Sequence, residues 1–201
     1  MTMINISPSI ASSNLLDIKN EIKKVENSNS YTLHVDIEDG NFVPNITFGM
    51  KLINMIREQT KMNISYHLMV TNPLFWIYEL PLKDNDIVFA HVESYQYPKY
   101  IINSIKERGA DAGIVFNPAT DIERYKYLAS ICENIMIMTN EPDKDGEYFI
   151  DEMIDKVLIA KKLKFKNIWA DGGINGSRIE TLNEIGVSNF VVGRYFFNNN
   201  K

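Results

Sequence analysis

The 201-residue sequence predicts an α/β protein: a closed (β/α)8, or TIM, barrel forming one domain over residues 1–201. Three observations carry this expectation. Strand-like and helix-like periodicities alternate from end to end. They make eight strand units with no break in composition between them. Residues able to do chemistry gather at the carboxyl ends of those strands, where barrels of this kind place their sites. An open doubly wound sheet is the rival, but it seldom needs eight units in so short a chain.

Taken in order, the first strand-like run is Asn5–Ile6, leading into Ser7-Pro8-Ser9, and LLDIKNEIKKVEN follows with helical spacing. The second run is Thr32–Ile37 and the third Ile64–Met69. Asn72 followed by Pro73 then marks a helix start, a capping side chain before a proline in the first turn. The fourth run, Asp86–Val92, precedes a helix that should stop at Gly109. Ala112–Phe116 is the fifth, with Asp121 placed to cap IERYKYLAS. After the sixth, Asn134–Met138, comes FIDEMIDKVLIAKKLK. There Ile150, Met153, Ile154, Val157 and Leu158 make one apolar face, with lysines and carboxylates opposite. Asn167–Ala170 is the seventh run, and its helix should stop at Gly186. The eighth is Asn189–Val192, after which RYFFNNNK leaves room only for a truncated eighth helix. Apolar surface on that flank calls for cover, and the expectation is a homo-oligomer.

With 45% hydrophobic and 23% charged residues the chain has the balance of a globular protein with a sizeable core. A net charge of −5 without a basic stripe excludes nucleic acid as the main partner. The single cysteine, Cys132, excludes an internal disulfide and suits a reducing compartment; it reads as a small buried apolar residue. The start, MTMINISPSI, lacks the pattern of a signal peptide, and no apolar run is long enough to cross a bilayer. The expectation is a cytoplasmic protein with no membrane partner.

The stretch HVDIEDGNFVPNITFG carries the first sign of chemistry. Alternate residues of a strand share a face, so His34, Asp36 and Glu38 point the same way. Strand 3 brings His67, strand 7 leads to Asp171, and strand 4 ends in His91 and Glu93. Each alone has an innocent reading, as a satisfied rim histidine or a helix-capping aspartate. Two imidazoles and two carboxylates on three strands, all at one end, suit a divalent ion such as zinc, manganese, iron or cobalt. A cation would also offset the cost of burying the carboxylates.

These residues stand within a longer pattern. ISPSIASS, HVDIEDGNFVPNITFG, HLMV, FNPAT, MTNEP and ADGGIN occur in that order, and over nearly its whole length the chain resembles the ribulose-phosphate 3-epimerase family. Within that family the chain is similar to a divergent subgroup of sugar-phosphate epimerases that shares the IED, EPD and GR variations. The resemblance implies a barrel of the ribulose-phosphate-binding type, one divalent metal ion and a small-molecule sugar phosphate as substrate. It implies that His34, Asp36, His67 and Asp171 bind the metal, and that Asp36 and Asp171 are the two acid/base residues. It further implies substrate contacts from Ser9, His67, Met69, Met138 and Asp171, with phosphate-binding loops represented by Gly146, Gly172, Gly173 and Gly193.

The sequence departs from the family at three places. Glu38 stands where a third methionine is usual, either facing the site or turned to water at the rim. EPDKDGEYF replaces a glycine-rich loop, so Asp143 and Asp145 would repel a phosphate unless they turn outward. Arg194 follows Gly193 where serine is typical; it either binds the phosphate or pairs with one of those aspartates. No family role transfers to His91 and Glu93, which read as structural or as orienting a metal ligand. Trp76 and Trp169 read as packing. The leading expectation is an epimerase of a ketose phosphate. The alternatives are a non-catalytic sugar-phosphate binder that keeps the metal cage, and a related phosphosugar decarboxylase. Ile37 opposes the last, because it stands where such enzymes carry a lysine.

Overall fold

The computed structural model describes residues 3–142 and 148–198. Among them, eight parallel strands form one sheet: β1 (Asn5–Pro8), β2 (Leu33–Glu38), β3 (Ile64–Met69), β4 (Ile87–His91), β5 (Asp111–Phe116), β6 (Asn134–Met138), β7 (Asn167–Asp171) and β8 (Asn189–Val192). Each strand from β2 to β8 pairs with its neighbour in sequence, and β8 pairs back onto β1. A parallel bridge between Ser9 and His34 joins the remaining edges. The Tyr31 N–H, donating to the Ile6 carbonyl at 2.7 Å, helps close the barrel there.

Helices α1 (Ile18–Glu26), α2 (Met50–Gln59), α3 (Pro73–Glu79), α4 (Pro98–Glu107), α5 (Met153–Lys162), α6 (Gly176–Glu184) and α7 (Arg194–Asn198) occupy the crossovers and follow β8. The Asn72 side chain accepts from the Phe75 N–H and Pro73 opens α3, so the cap and the proline divide the work of starting that helix. α7 has only five residues, with Phe197 buried. None of the described helices is long and apolar enough to cross a membrane.

Two elements differ from the sequence reading. IERYKYLAS is a 3-10 segment, not an α-helix, although Asp121 does accept from the Glu123 N–H at its start. In α5 the buried side is set by Met153, Val157 and Ala160, while Leu158 is 45% exposed. Lys156 turns inward instead, where its ammonium donates to the carbonyls of Asn117, Pro118 and Thr120 at 2.7, 2.7 and 2.8 Å. Those three acceptors compensate the buried charge.

The interior of the barrel is divided. On β4 to β8 the inward positions are mostly apolar, and Ile87, Phe89, Val115, Met136, Met138, Trp169 and Val191 form one buried cluster. Gly113 leaves room for Phe89: a Cβ there would stand 2.2 Å from the ring. On β1 to β3 the inward positions are polar: Ser7, Ser9, His34, Asp36, Ser65 and His67, all buried. At the amino end, asparagine amides bridge strands, Asn5 to Asn189 at 2.9 Å and Asn167 to Asn134 at 3.2 Å. The second apolar layer, between sheet and helices, holds the larger core, including Ile37, Leu68 and Ile137. Trp169 belongs to the interior cluster, and Trp76 packs against the outer core.

Candidate active site

Parallel pairing of β2 with β3 places Asp36 beside His67 and His34 beside Ser65. Asp171, the last residue of β7, arrives from another side of the mouth, next to Met138 of β6. Its backbone is held by Thr139, whose N–H and Oγ1 both donate to the Asp171 carbonyl at 2.6 and 2.9 Å. The two glycines that follow are required by their surroundings. Gly172 has φ +112° and Gly173 φ +66°, and a Cβ on Gly172 would stand 2.0 Å from Asn140 Oδ1.

The four side chains converge. His34 Nε2 is 3.2 Å from Asp36 Oδ1 and 3.8 Å from Asp171 Oδ2. His67 Nδ1 is 3.1 and 3.2 Å from the same two oxygens. One ligand atom from each of the four lies within 4.8 Å of every other. The imidazoles are fully buried and the carboxylates nearly so, at 12% and 15% exposed. His34 Nε2 makes no hydrogen bond within the protein. A buried bare nitrogen aimed at two carboxylate oxygens, with a second imidazole opposite, fits a divalent cation.

Each ligand is held from behind. His34 Nδ1 lies 2.8 Å from Ser65 Oγ, which meets Thr32 Oγ1 at 2.7 Å, and Thr32 donates onward to Ser7 Oγ at 2.8 Å. Ser9 donates to Asp36 Oδ2 at 2.5 Å. His67 Nε2 is 2.9 Å from His91 Nε2. Burial pushes the Asp36 carboxyl up, but the His34 imidazole and then His67 outweigh it and hold it well below the usual carboxylate range. For His67, burial pulls down, yet Asp171 and Asp36 raise it to about 9. Without a cation, a proton on His67 thus neutralises part of the carboxylate charge. Burial lowers His91 to about 4, so it stays a neutral imidazole despite Glu93 beside it.

The mouth opens into a cavity of about 680 Å³, within the usual range for a small ligand. Ser9, Asp36, Met69, Met138 and Asp171 line the end near the four ligands, and Glu38 also faces this cavity. Gly172, Gly173, Gly193 and Arg194 line it too. Gly146, Asp143 and Asp145 lie outside the described residues. Arg194 has no ion pair among the described residues.

Some contributors were not apparent from sequence. Ser65 and Thr32 sit two residues before His67 and His34, so strand periodicity could have placed them on the same face. Arg178, in the first turn of α6, also lines the cavity. It pairs with Asp151 at 2.6 Å and lies 4.3 Å over the Phe149 ring, and nothing in its sequence context distinguishes it from a surface arginine.

An eight-stranded barrel with two imidazoles and two carboxylates at the carboxyl rim defines a class: barrel proteins with a candidate site for one divalent ion at the mouth. Comparison with known proteins narrows it. The model of the "Ribulose-phosphate 3 epimerase family" matches residues 5–197. A ribulose-phosphate 3-epimerase of Helicobacter pylori is 33% identical, covering 96% of this chain and 91% of that one. One from Bacillus subtilis is 32% identical, with 95% and 91% covered. One from Methanocaldococcus jannaschii is 35% identical, with 86% and 75% covered. Among solved structures, a tryptophan synthase α-subunit variant from Pyrococcus furiosus superposes with a TM-score of 0.69 at 13% identity, covering 96% of this chain and 87% of that one. That likeness speaks for the barrel alone. The chain belongs to the ribulose-phosphate 3-epimerase family and is an isomerase of the epimerase kind.

Proposed function

We propose that the protein is a metal-dependent epimerase that inverts C3 of a ketose phosphate, D-ribulose 5-phosphate to D-xylulose 5-phosphate or a related pentulose or hexulose phosphate. The observation that carries this reading is the convergence of Asp36 and Asp171 with His34 and His67 at one mouth. Family membership supports the substrate class. His34 Nε2, His67 Nδ1 and an oxygen from each aspartate would hold the ion, which when bound supplies the positive charge that stabilises developing enediolate oxygens. Zinc, iron, manganese and cobalt all suit this donor set.

The chain's own groups do the proton work. One aspartate removes the weakly acidic C3 proton and the other returns a proton to the opposite face, so the two carboxyls must begin in different protonation states. Ser9, donating to Asp36 Oδ2 at 2.5 Å, fixes which way that carboxylate points. Met69 and Met138, both buried, wall the reacting end with groups that donate no competing proton. The backbone of Gly172, Gly173 and Gly193, with Arg194, lines the part of the cavity suited to the phosphate; Gly146 belongs to the same proposed set.

The reading extends to setting and assembly. Lone, buried Cys132 supports a reducing, cytoplasmic setting. The exposed Leu15 and Leu16 support a homo-oligomer of a chain that we read as one domain over residues 1–201. The direct test mixes metal-loaded protein with the ketose phosphate in deuterated water. Deuterium should enter at C3, and Asp36→Asn and Asp171→Asn should each lower turnover by about 10²-fold or more with the fold retained by circular dichroism. No exchange with any ketose phosphate overturns the reading; full activity in either variant overturns the two-base assignment.

A further inference from the structure

Behind His67 runs a chain of contacts, buried as far as His91 and reaching the surface at Glu93, that the proposed chemistry does not use. His67 presents Nδ1 to Asp36 and Asp171, and its other nitrogen, Nε2, meets His91 Nε2 at 2.9 Å. On the far side of that ring, His91 Nδ1 lies 3.3 Å from Glu93 Oε2, close enough for the carboxylate charge to act on the ring although the two make no hydrogen bond. Glu93 is itself fixed, since its Oε1 accepts from the Asn117 N–H at 3.0 Å and from the Thr120 hydroxyl. The loop carrying Asn117 and Thr120 is gripped by the Lys156 ammonium through three carbonyls. His91 is 2% exposed, with the Phe42 ring 4.7 Å away from it.

A contact of 2.9 Å between two imidazole nitrogens needs one hydrogen between them. Were it carried by His91 Nε2, the lone pair of His91 Nδ1 would face an anionic carboxylate oxygen. Glu93 therefore selects the His91 tautomer protonated at Nδ1, leaving Nε2 as the acceptor. His67 must then donate from Nε2, which in the neutral, metal-binding ring leaves the lone pair of Nδ1 pointing at the place between the two aspartates. The other imidazole ligand is directed by hydroxyls instead: Thr32 donates to Ser7, so Ser65 donates to Thr32 and accepts from His34 Nδ1–H, which leaves the His34 Nε2 lone pair free.

We infer that His91, directed by Glu93, is a positioning residue that holds His67 in the tautomer able to bind the metal. This rests on the metal site proposed above. The test uses the full chain and cobalt(II), with affinity read by chelator competition and geometry by the visible bands of the bound ion. His91→Leu removes the acceptor and should weaken cobalt binding about 10–100-fold and shift the bands. His91→Gln, whose amide oxygen can still accept from His67, should restore most of both. Unchanged affinity and bands in His91→Leu overturn the inference while leaving the metal site standing. A wild-type protein that binds no cobalt overturns both. Should His91→Leu fail to fold, nitrogen-15 NMR of the zinc(II)-loaded wild type decides: His91 protonated at Nδ1 supports the inference, and protonation at Nε2 overturns it.

Discussion

Asp39 shows how much one carboxylate can organise at the rim. Oδ1 accepts from the N–H groups of Asn41 and Phe42 at 2.9 and 2.8 Å, and Oδ2 from the N–H and hydroxyl of Thr71, both at 2.8 Å. The loop after β2 is thereby clipped to the loop after β3. Burial works against the charge, but the donors from Thr71, Phe42 and Asn41 prevail and hold Asp39 at about 2, below its ordinary 3.8. A carboxyl lowered on folding contributes stability that is full above its unfolded pKa and lost as pH falls through the folded one. Asp39→Asn should therefore melt below the wild type at pH 7, and the gap should narrow as pH drops from about 4 toward 2; a gap independent of pH would refute this account. Thr71 is 32 positions away, so no local reading of the sequence could find the clip. The shared face of His34, Asp36 and Glu38 was readable, because period two is a property of any strand. The contact from His67 to His91 was not, since it depends on how inward side chains of β3 and β4 lean toward each other.

At the level of elements, the strands were easier to read than their connections. Inward and outward positions on a barrel strand alternate strictly, and β2 to β8 each begin and end within a residue or two of their sequence patterns. The segment after β5 failed because its cap and composition suit either helical form. It winds as 3-10 over Ile122–Ser130, and the loop just before it is anchored by Lys156 of α5. A lysine amid an amphipathic pattern reads as solvent-facing, so a buried one is invisible until its acceptors are placed. Lys156→Met keeps the volume and removes the donors. It should destabilise the protein by about 1–3 kcal/mol in urea unfolding, as expected when buried carbonyls lose a charged donor. It should also loosen the support of Glu93, since Asn117 and Thr120 share that loop. A change within a few tenths of a kcal/mol would show that water replaces the ammonium at no cost.

For the whole molecule, the closed barrel followed from counting units, whereas the division of its interior into a polar and an apolar half did not. That division depends on which strands become neighbours. Three consecutive strands pool their serines, histidines and Asp36 on one side, and Phe89, Met136 and Trp169 fill the other. The outer surface poses the remaining physical question. Leu16 is fully exposed, and Leu15 and Tyr195 are each 44% exposed. A hollow bordered by Ser13, Asn14, Lys24, Phe197 and Asn198 lies where the chain leads into Leu15 and Leu16. Burying a leucine is worth about 1.5–3 kcal/mol. Two leucines cannot by themselves offset the entropy of association, and a stable interface covers about 1,200 Å² or more, so the polar rim of the hollow must share it. Light scattering of the wild type should give a multiple of the 23.2 kDa chain. The double substitution Leu15→Glu with Leu16→Glu should shift it toward the single chain, because each buried carboxylate would cost more than a leucine gains. A wild type of single-chain mass refutes the assembly, and an unshifted double variant moves the interface to another face.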